Sequence, residues 1–303
     1  MELDSRTHRW TLSQLPPGTE ITGAERLGGG WSSLVRAVHT RDRDYVLRTM
    51  IRPELADRAE EMVTREARVL GMLAGTGLPV PRVLGADPSG THTGMPSLLT
   101  TRLPGRIEIG DDHATGARAV ALARQLAAIH RVRPPVAPPP YVAWSWPGEI
   151  VTPPDSPRPG LWRRAEELIT REPPRHPGRF LHRDFHPGNV LFEDTAITGV
   201  VDWTETSWGP ADLDVAHCAT MLALLHGDDL AETFVGAYRT AGGALAPDRH
   251  SHLYWRLLDA LSFAPAAANA GGPWRELGRT DLTAEVLGPA LERHLAHLLD
   301  TYG

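Results

Sequence analysis

The sequence predicts an α+β protein with two lobes, a small antiparallel β-sheet lobe that contains one helix and a larger, mainly α-helical lobe. Two observations support this fold class. Short β-type runs separated by turns dominate the chain up to residue 101, whereas segments with helical spacing dominate after it. We therefore expect two domains, residues 1–101 and residues 102–303, with a ligand cleft between them.

The first lobe shows a hairpin, a helix and a final strand. LVRAVHT (34–40) and DYVLRTM (44–50) are β-type runs joined by a polar turn, which predicts an antiparallel hairpin. Residues 54–73 place apolar side chains at helical spacing, and glycines follow to end the helix. The run PSLLTT (96–101) predicts the last strand, before LPG breaks the pattern.

The second lobe is predicted to consist of helices. The expected segments are 117–131, 161–171, 214–226, 230–241, 250–263 and 284–301. A proline-rich stretch, 134–159, separates the first two segments and contains Trp144 and Trp146. This stretch is consistent with either a surface loop or part of a lid over a substrate, and the sequence does not decide between them.

Composition excludes several classes of protein. The hydrophobic fraction of 41% and the charged fraction of 22% are those of a folded globular chain. A net charge of −6 argues against a nucleic-acid-binding surface. No run of about 18 apolar residues is present and the start lacks a secretory pattern, so we expect a cytoplasmic protein without a membrane segment. The single Cys218 is expected to be a buried thiol, and all 31 basic residues are arginine.

The segment HRDFHPGN (182–189) carries the main chemical signal. Asp184 and Asn189 are followed by a short apolar strand, the turn EDTA and a second strand-like run that ends at Asp202. Such a hairpin can bring Asn189 and Asp202 to the same end, where an amide oxygen and a carboxylate suit Mg²⁺. Asp184 then remains free to orient a hydroxyl group and to accept its proton.

HRDFHPGN together with VVDW resembles the aminoglycoside phosphotransferase branch of the protein-kinase-like superfamily, which also includes choline and homoserine kinases. The resemblance covers nearly the whole chain and implies a protein-kinase-like fold, ATP and Mg²⁺ as cofactors, and a small-molecule hydroxyl acceptor. It makes Asp184 the catalytic base, and Asn189 and Asp202 the magnesium ligands. It also makes His182 a support of the catalytic loop and Asp214 the helix-start residue that braces this loop.

Two residues favour the small-molecule branch over protein kinases. They are His186, after the catalytic aspartate, and Trp203, which replaces the phenylalanine of the protein-kinase DFG motif. No recognisable activation segment with an APE ending follows Asp202. Two other interpretations are open, a loop whose polar residues only cap helices, and a metal cluster of His182 and His186 that no further histidine at ligand spacing supports.

The nucleotide is expected to bind against the first lobe. In LGGGWSSLV (27–35), glycines allow backbone N–H groups to approach a triphosphate closely. The residues expected there are Gly28, Gly29, Gly30 and Ser32. The adenine is expected beside the segment that joins the lobes, where the neighbouring residues are Thr100, Thr101 and Leu103.

Arg48 and Glu66 form the second nucleotide signal. Arg48 shares a strand face with Val46 and Met50, and Glu66 lies on the apolar stripe of the following helix, so both charges point inward. A buried charge needs a partner of opposite charge, and a pair between Arg48 and Glu66 would provide one for each residue. In the family a strand lysine pairs with this glutamate and contacts phosphates, and the resemblance puts Arg48 in its place. The alternative is a buried salt bridge that only holds the helix to the sheet.

Candidates for binding the acceptor are acids and aromatic residues beyond the magnesium site. They are Glu205, Trp208, Trp255 and Asp259. On a helix, a charged residue usually faces solvent and a tryptophan usually belongs to the core, so each also has an ordinary structural explanation.

The sequence supports one main hypothesis and two alternatives. The main hypothesis is a kinase that transfers the ATP γ-phosphoryl group to a hydroxyl of a small molecule, for example an aminoglycoside or another antibiotic. A choline- or homoserine-type metabolite kinase would use the same residues. Arginine at the lysine position motivates a nucleotide-binding pseudoenzyme with a regulatory role, although the intact Asp184, Asn189 and Asp202 argue against it. Oligomeric state is not predicted.

Overall fold

The computed structural model describes residues 3–30, 33–264 and 267–303. The first lobe contains the strands β1 (Ile21–Leu27), β2 (Ser33–Thr40), β3 (Asp44–Met50), β4 (Val83–Asp87) and β5 (Ser97–Thr101). They form one antiparallel sheet in the order β1-β2-β3-β5-β4. The predicted hairpin is β2 and β3, and the predicted last strand is β5. This sheet, followed by a helical region, confirms the α+β fold class.

Two α-helices accompany this sheet, so the expectation of a single helix is wrong. They are α1 (Ser5–Ser13) and α2 (Ala56–Leu73), the second preceded by a 3₁₀ turn, Pro53–Leu55. Asp4 begins α1 by accepting hydrogen bonds from backbone N–H groups of its first turn. The helix is mostly polar and shows no apolar stripe in sequence. Trp10 packs on the sheet, and the side chains of Arg6 and Thr7 donate to the carbonyl oxygens of Thr91 and Thr93.

The second lobe contains seven α-helices within the described residues, and six of them match predicted segments to within a few residues. They are α3 (Thr115–Ile129), α4 (Pro159–Ile169), α5 (Ala211–His226), α6 (Asp228–Thr240), α7 (Arg249–Ser262), α8 (Ala268–Glu276) and α9 (Ala284–Tyr302). The helix α8 was not predicted, because its sequence ANAGGPWRE contains two glycines and a proline, which have low helix propensity.

Short strands frame the segment that carries HRDFHPGN. They are β6 (Arg106–Ile107), β7 (Arg179–Leu181), β8 (Val190–Glu193), β9 (Ala196–Val200) and β10 (Ser207–Gly209). The strands β8 and β9 form the predicted hairpin and β6 pairs with β8, while β7 pairs with β10. The motif therefore lies between two strand pairs, which hold both of its ends.

The helix α5 lies at the centre of the second lobe. Every residue from Ala211 to Leu225 is buried, as its largely apolar sequence suggests. It packs against α6, α7, α9, β7 and the 3₁₀ turn Pro187–Asn189. Because β7 leads directly into HRDFHPGN, the first turns of α5 lie beside this motif.

The apolar core is shared between the lobes. One cluster joins α2 to the motif region and to α3, α5 and α6, and includes Met62, Leu70, Phe185, Trp203, Leu122 and Phe234. Cys218 is buried in the same cluster, and burial raises the pKa of its thiol, as expected for an unreactive cysteine. Within the described ranges, no helix combines the length and apolar character needed to cross a membrane. The domain boundary at residue 101 stays a prediction.

Gly105 allows the chain to turn where it enters the second lobe. Its φ is +86°, and a Cβ atom there would lie 2.3 Å from Thr198 Oγ1 and 2.7 Å from the carbonyl oxygen of Phe192. We expect Gly105→Ala to lower the free energy of unfolding by about 2 kcal/mol or more, since strain and overlap add. Chemical denaturation would measure this, with Gly110→Ala as control because a Cβ at Gly110 meets no atom within 4 Å. Equal stability of both variants would contradict this role of Gly105.

Candidate active site

A buried carboxylate, that of Asp214 in the first turn of α5, holds the start of the motif. Its Oδ2 accepts the backbone N–H of His182 at 2.8 Å, and its Oδ1 accepts the backbone N–H of Arg183, also at 2.8 Å. His130 Nε2 contributes a third contact at 3.0 Å. Burial alone would raise the pKa of Asp214, but the hydrogen bond and charge of His130 lower it, so the carboxylate is ionised. Asp214 thereby supports the left-handed backbone of Arg183, whose φ is +75°.

His182 links the motif to the strand end that leads to Asp202. Its Nδ1 accepts the backbone N–H of Asp184 at 3.3 Å, and its Nε2–H donates to the carbonyl oxygen of Val201 at 3.1 Å. These two partners require the neutral tautomer with the proton on Nε2. Burial lowers the pKa of His182, which agrees with a neutral ring. The side chain thus ties together the two segments that carry Asp184 and Asp202.

The carboxylate of Asp184 is partly exposed, at 30%, and is surrounded by donors. Asn189 Nδ2 donates to its Oδ2 at 2.9 Å and to its backbone carbonyl oxygen at 2.8 Å. Nε2 of His217 lies 3.2 Å from Oδ1, and Nε2 of His186 lies 3.7 Å from it. Burial would raise the pKa of Asp184, but the contact with the His217 N–H and the charge of His217 lower it. An ionised carboxylate in this position can accept a proton from a bound hydroxyl group.

Asn189 and Asp202 start from neighbouring points of the backbone, as the predicted hairpin requires. The N–H of Val201 donates to the carbonyl oxygen of Asn189 at 3.0 Å. Because Asn189 Nδ2 donates to Asp184, its amide oxygen Oδ1 is the atom left for a cation. Asp202, with a φ of +62°, uses Oδ1 for Thr204 and Arg48, and its Oδ2 accepts no hydrogen bond from the described residues. Two hard oxygens are thus available, which fits Mg²⁺.

Arg48 and Glu66 form the ion pair expected from the sequence. Arg48 Nη2 lies 2.7 Å from Glu66 Oε2, and both side chains are buried. Arg48 Nη1 also donates to Asp202 Oδ1 at 2.7 Å, and Glu66 Oε1 accepts the backbone N–H of Trp203 at 3.3 Å. Burial raises the pKa of Glu66 to about 7, with the charge of Arg48 acting against that rise. The pair therefore joins the sheet lobe to the segment that follows β9.

Two buried donors of Arg48, Nε and Nη2, make no aligned hydrogen bond within the described part of the chain. Nη2 has Glu66 Oε2 as its ion-pair partner, so Nε is the donor to consider for a ligand. Burial opposes the charge of Arg48, but the carboxylates of Asp202 and Glu66 raise its pKa, so it remains a cation. A buried guanidinium with a free N–H is suited to an anionic oxygen, such as that of a phosphate.

The glycine-rich turn lies between β1 and β2. Gly29 has a φ of +87°, which favours glycine, and a Cβ on Gly30 would lie 2.5 Å from the carbonyl oxygen of Ser33. The Gly29 N–H donates to Glu276 Oε2 of α8 at 3.4 Å, so the turn contacts the second lobe. Gly28 also lies against Glu276, whereas Ser32 falls outside the described residues. The contact with α8 was not predicted from the sequence.

The segment expected beside adenine forms the end of β5 and the connection after it. Thr100 is buried and lies between Val46 of β3 and Val83 of β4. The N–H of Thr101 donates to the carbonyl oxygen of Arg82 at 2.9 Å, so this donor is already used. Leu103 packs against Gly199 of β9. These contacts place the segment at the junction of the lobes.

The four residues expected to bind the acceptor lie in different environments. Glu205 is partly exposed and lies 3.7 Å from Arg58, and burial raises its pKa. Trp208 lies in β10, opposite Phe180 of β7. Trp255 is only 1% exposed and packs in the helical core, so it is a core residue and not an acceptor contact. Asp259 is also buried and accepts a hydrogen bond from a histidine, so it does not face an acceptor directly.

The sequence matches the phosphotransferase enzyme family over residues 23–255. The chain belongs to this family. The match confirms both the family predicted from the sequence and the predicted class of enzyme. No curated protein matches the chain.

Solved structures of similar fold include several antibiotic phosphotransferases. Aminoglycoside phosphotransferase APH(4)-Ia is 16% identical, with 99% of each chain covered and a TM-score of 0.65. Macrolide 2′-phosphotransferase MphH from Brachybacterium faecium is 20% identical, with 97% of this chain and 98% of that chain covered and a TM-score of 0.60. Spectinomycin phosphotransferase APH(9)-Ia, solved with ADP and spectinomycin, is 13% identical, covers 96% and 98%, and has a TM-score of 0.62. These likenesses confirm the predicted fold.

Three side chains near Asp184 in this phosphotransferase were not assigned to the site from the sequence. His217 lies one turn after Asp214 on α5, within a run of buried residues. Trp144, from the proline-rich stretch, meets the His217 ring edge to face at 5.0 Å. The guanidinium of Arg183 lies 4.4 Å from the centre of the Trp144 ring. His217 could have been assigned from the sequence, because it lies three residues after Asp214 and therefore on the same helix face.

Asp214 offers a direct test of how the motif is held. We expect Asp214→Asn to lower the free energy of unfolding by about 3–5 kcal/mol, because an amide replaces the buried charge that faces two N–H groups and a histidine. Chemical denaturation would measure the change. Asp229→Asn is the control, since Asp229 is exposed at the start of α6. A stability equal to that of the unchanged protein would show that Asp214 does not brace the motif.

Proposed function

We propose that this phosphotransferase transfers the γ-phosphoryl group of ATP to a hydroxyl group of a small molecule, with Asp184 as the catalytic base. The observation that carries this proposal is the ionised carboxylate of Asp184, which is partly exposed beside the two available oxygens of Asn189 and Asp202. A proton acceptor and a magnesium site in direct contact are the parts that phosphoryl transfer to an alcohol requires.

Asp184 would orient the acceptor hydroxyl and take its proton. The hydroxyl oxygen forms a new bond to the γ-phosphorus, while the bond from this phosphorus to the bridging oxygen of ADP breaks with its electron pair on ADP. The proton of the hydroxyl passes to the carboxylate of Asp184. Because most of the bond to ADP breaks early in such a transition state, orientation by Asp184 matters more than high basicity.

Residues around Asp184 would also bind the magnesium ion and the nucleotide. Asn189 Oδ1 and Asp202 Oδ2 would hold Mg²⁺, which when bound neutralises charge on the phosphates. Arg48 would donate its free Nε–H to a phosphate oxygen, in the place of the usual lysine. The backbone of Gly28, Gly29 and Gly30 would cover the triphosphate from the first lobe.

The surroundings of Asp184 bear on the class of acceptor. The two acidic side chains predicted to bind an acceptor already face cationic groups, Glu205 facing Arg58 and Asp259 facing His217. Trp144 is 41% exposed and lies against the motif, which supports a lid role for the stretch 134–159. We propose that the acceptor hydroxyl belongs to a molecule with an apolar face that packs on Trp144. Macrolides and aminoglycosides, for which two of the solved relatives are named, are suitable first compounds to test.

A mass-spectrometric screen for an ATP-dependent phosphate adduct tests the reaction. The panel would contain macrolides, aminoglycosides, spectinomycin, choline and homoserine. We expect a phosphorylated product, and we expect Asp184→Ala to reduce kcat by about 10²- to 10⁴-fold because the proton acceptor is lost. Asp42→Ala, in an exposed turn of the first lobe, is the control. Undiminished turnover in Asp184→Ala would exclude the proposed role of this residue.

A nucleotide-binding pseudoenzyme is a second candidate, and the bond between Arg48 and Asp202 favours it. In this arrangement the arginine occupies one oxygen of a proposed magnesium ligand, Asp202 Oδ1. Binding of Mg²⁺ and nucleotide with no phosphorylated product from any acceptor in a broad metabolite extract would support this candidate over the enzyme.

Replacement of Arg48 tests whether this residue binds the nucleotide or only joins the two lobes. We expect Arg48→Met to raise the Kd for Mg²⁺–ADP at least about tenfold, because a buried cation is lost. Arg48→Lys retains the charge and should cause a smaller rise. Isothermal titration calorimetry would measure both. If Arg48→Met folds and binds Mg²⁺–ADP as tightly as the unchanged protein, then Arg48 only joins the lobes.

A further inference from the structure

A row of three side chains ends at the proposed catalytic base. His217 on α5 is buried, with 3% of its side chain exposed. Its Nδ1–H donates to Asp259 Oδ1 of α7 at 3.0 Å, and its Nε2 lies 3.2 Å from Asp184 Oδ1. The row therefore runs from a buried carboxylate, through an imidazole, to the partly exposed carboxylate of Asp184.

Each ring nitrogen of His217 faces a carboxylate, and these two partners determine the protonation state of the ring. A carboxylate accepts hydrogen bonds and does not donate them, so two such neighbours favour a proton on each ring nitrogen. Burial opposes the charge, but Asp259 and Asp184 outweigh it and raise the pKa of His217 to about 9. The other charged or titratable groups near the ring are His186, whose pKa burial lowers to about 4, and Arg183. His217 is thus an imidazolium at neutral pH.

The contact between His217 and Asp184 is mainly electrostatic. The Nε2–H of His217 makes no aligned hydrogen bond, although Nε2 lies within ion-pair distance of Asp184. An ion pair tolerates this misalignment better than a hydrogen bond between neutral groups does. The rings of Trp144 and Phe263 both pack against the ring of His217.

A metal ion is the competing explanation for this cluster. Ligand atoms of Asp184, His186 and His217 lie within 4.8 Å of one another. However, His186 Nδ1 accepts the backbone N–H of Gly188 at 3.1 Å, so its Nε2 must carry the proton of the neutral ring. That nitrogen has no lone pair for a metal. The cluster therefore presents ring N–H groups, and not metal ligands, toward Asp184.

We propose that His217 is a positioning residue that, held in place by Asp259, fixes the orientation of the Asp184 carboxylate toward the acceptor hydroxyl. This inference rests on the proposed phosphoryl transfer. The proton taken from the hydroxyl goes to Asp184 and leaves to water after the product departs, while His217 retains its own proton throughout. His217 acts through Asp184 and does not touch the substrate.

A pH dependence follows from this arrangement. Above the pKa of His217, the ring becomes neutral and presents a lone pair to either Asp184 or Asp259. The electrostatic hold on Asp184 is then lost, so kcat falls with a basic limb near pH 9. Asp259→Asn removes the negative charge that favours the imidazolium, which should move this limb to lower pH by about one unit or more.

The test compares two buried His–Asp pairs that join the same helices. Asp259→Asn changes the pair that includes His217. Asp212→Asn is the matched control, since Asp212 of α5 is paired with His252 of α7 at 2.7 Å in the same way, away from Asp184. The titration of the His217 ring would be followed by NMR in the nucleotide-free full-length protein, and kcat would be measured against pH with the acceptor found in the screen.

We expect the His217 ring to titrate near pH 9, and at least about one unit lower in Asp259→Asn and in Asp184→Ala but not in Asp212→Asn. The basic limb of kcat should move with it in Asp259→Asn, while KM for ATP stays unchanged. His217→Gln should lower kcat about tenfold or more and abolish the limb, because an uncharged donor remains.

Two results would overturn the inference. One is a His217 ring that titrates at or below its ordinary value in the unchanged protein. The other is a basic limb that Asp259→Asn leaves in place. If the unchanged protein phosphorylates no acceptor, the proposed function fails, and the effect of Asp184→Ala on the His217 titration alone decides whether the two residues are coupled. If Asp259→Asn fails to fold, the basic limb of kcat in His217→Gln and the titration of His217 in Asp184→Ala test the inference instead.

Discussion

The geometry of the site depends on one buried anion, the carboxylate of Asp214. An ionised group without solvent is stable only if it is fully paired, and Asp214 meets this requirement with two backbone N–H groups of the motif and with His130. The same bonds stabilise the left-handed conformation of Arg183, which turns the chain directly before the partly exposed Asp184. A requirement of folding thereby positions the side chain of Asp184.

An arginine joins the two lobes, in a chain that contains no lysine. A planar guanidinium has five N–H groups in a fixed arrangement, so Arg48 contacts Glu66 of the first lobe and Asp202 of the second at once. An ammonium group is a compact point charge and would distribute its contacts differently. The arginine therefore joins the two lobes through charge, and the shared apolar core around Met62 and Trp203 joins them through packing. Nucleotide would have to enter a site in which the cation already has carboxylate partners.

Much of this arrangement is predictable from local sequence. The β8–β9 hairpin and the order of HRDFHPGN and Asp202 place Asn189 and Asp202 together, because a hairpin brings its ends together. The Arg48–Glu66 pair is predictable as well, since strand and helix periodicity point both charges inward. The helices α1 and α8 are not, because one is polar and the other contains glycines and proline. Their positions depend on contacts with distant parts of the chain.

The sequence by itself determined the fold class, the family and the side chains of the motif, because periodicity, turns and short-range spacing are properties of neighbouring residues. Only the tertiary structure decided what lies around Asp184. His217 lies on a helix buried on all sides, so no apolar stripe shows which way it points. Its partner Asp259 comes from another helix, and the packing of α5 against α7 buries this carboxylate against the ring of His217. Long-range packing sets the contacts of His217 with Asp259 and Asp184, and its three-residue spacing from Asp214 does not reveal these partners.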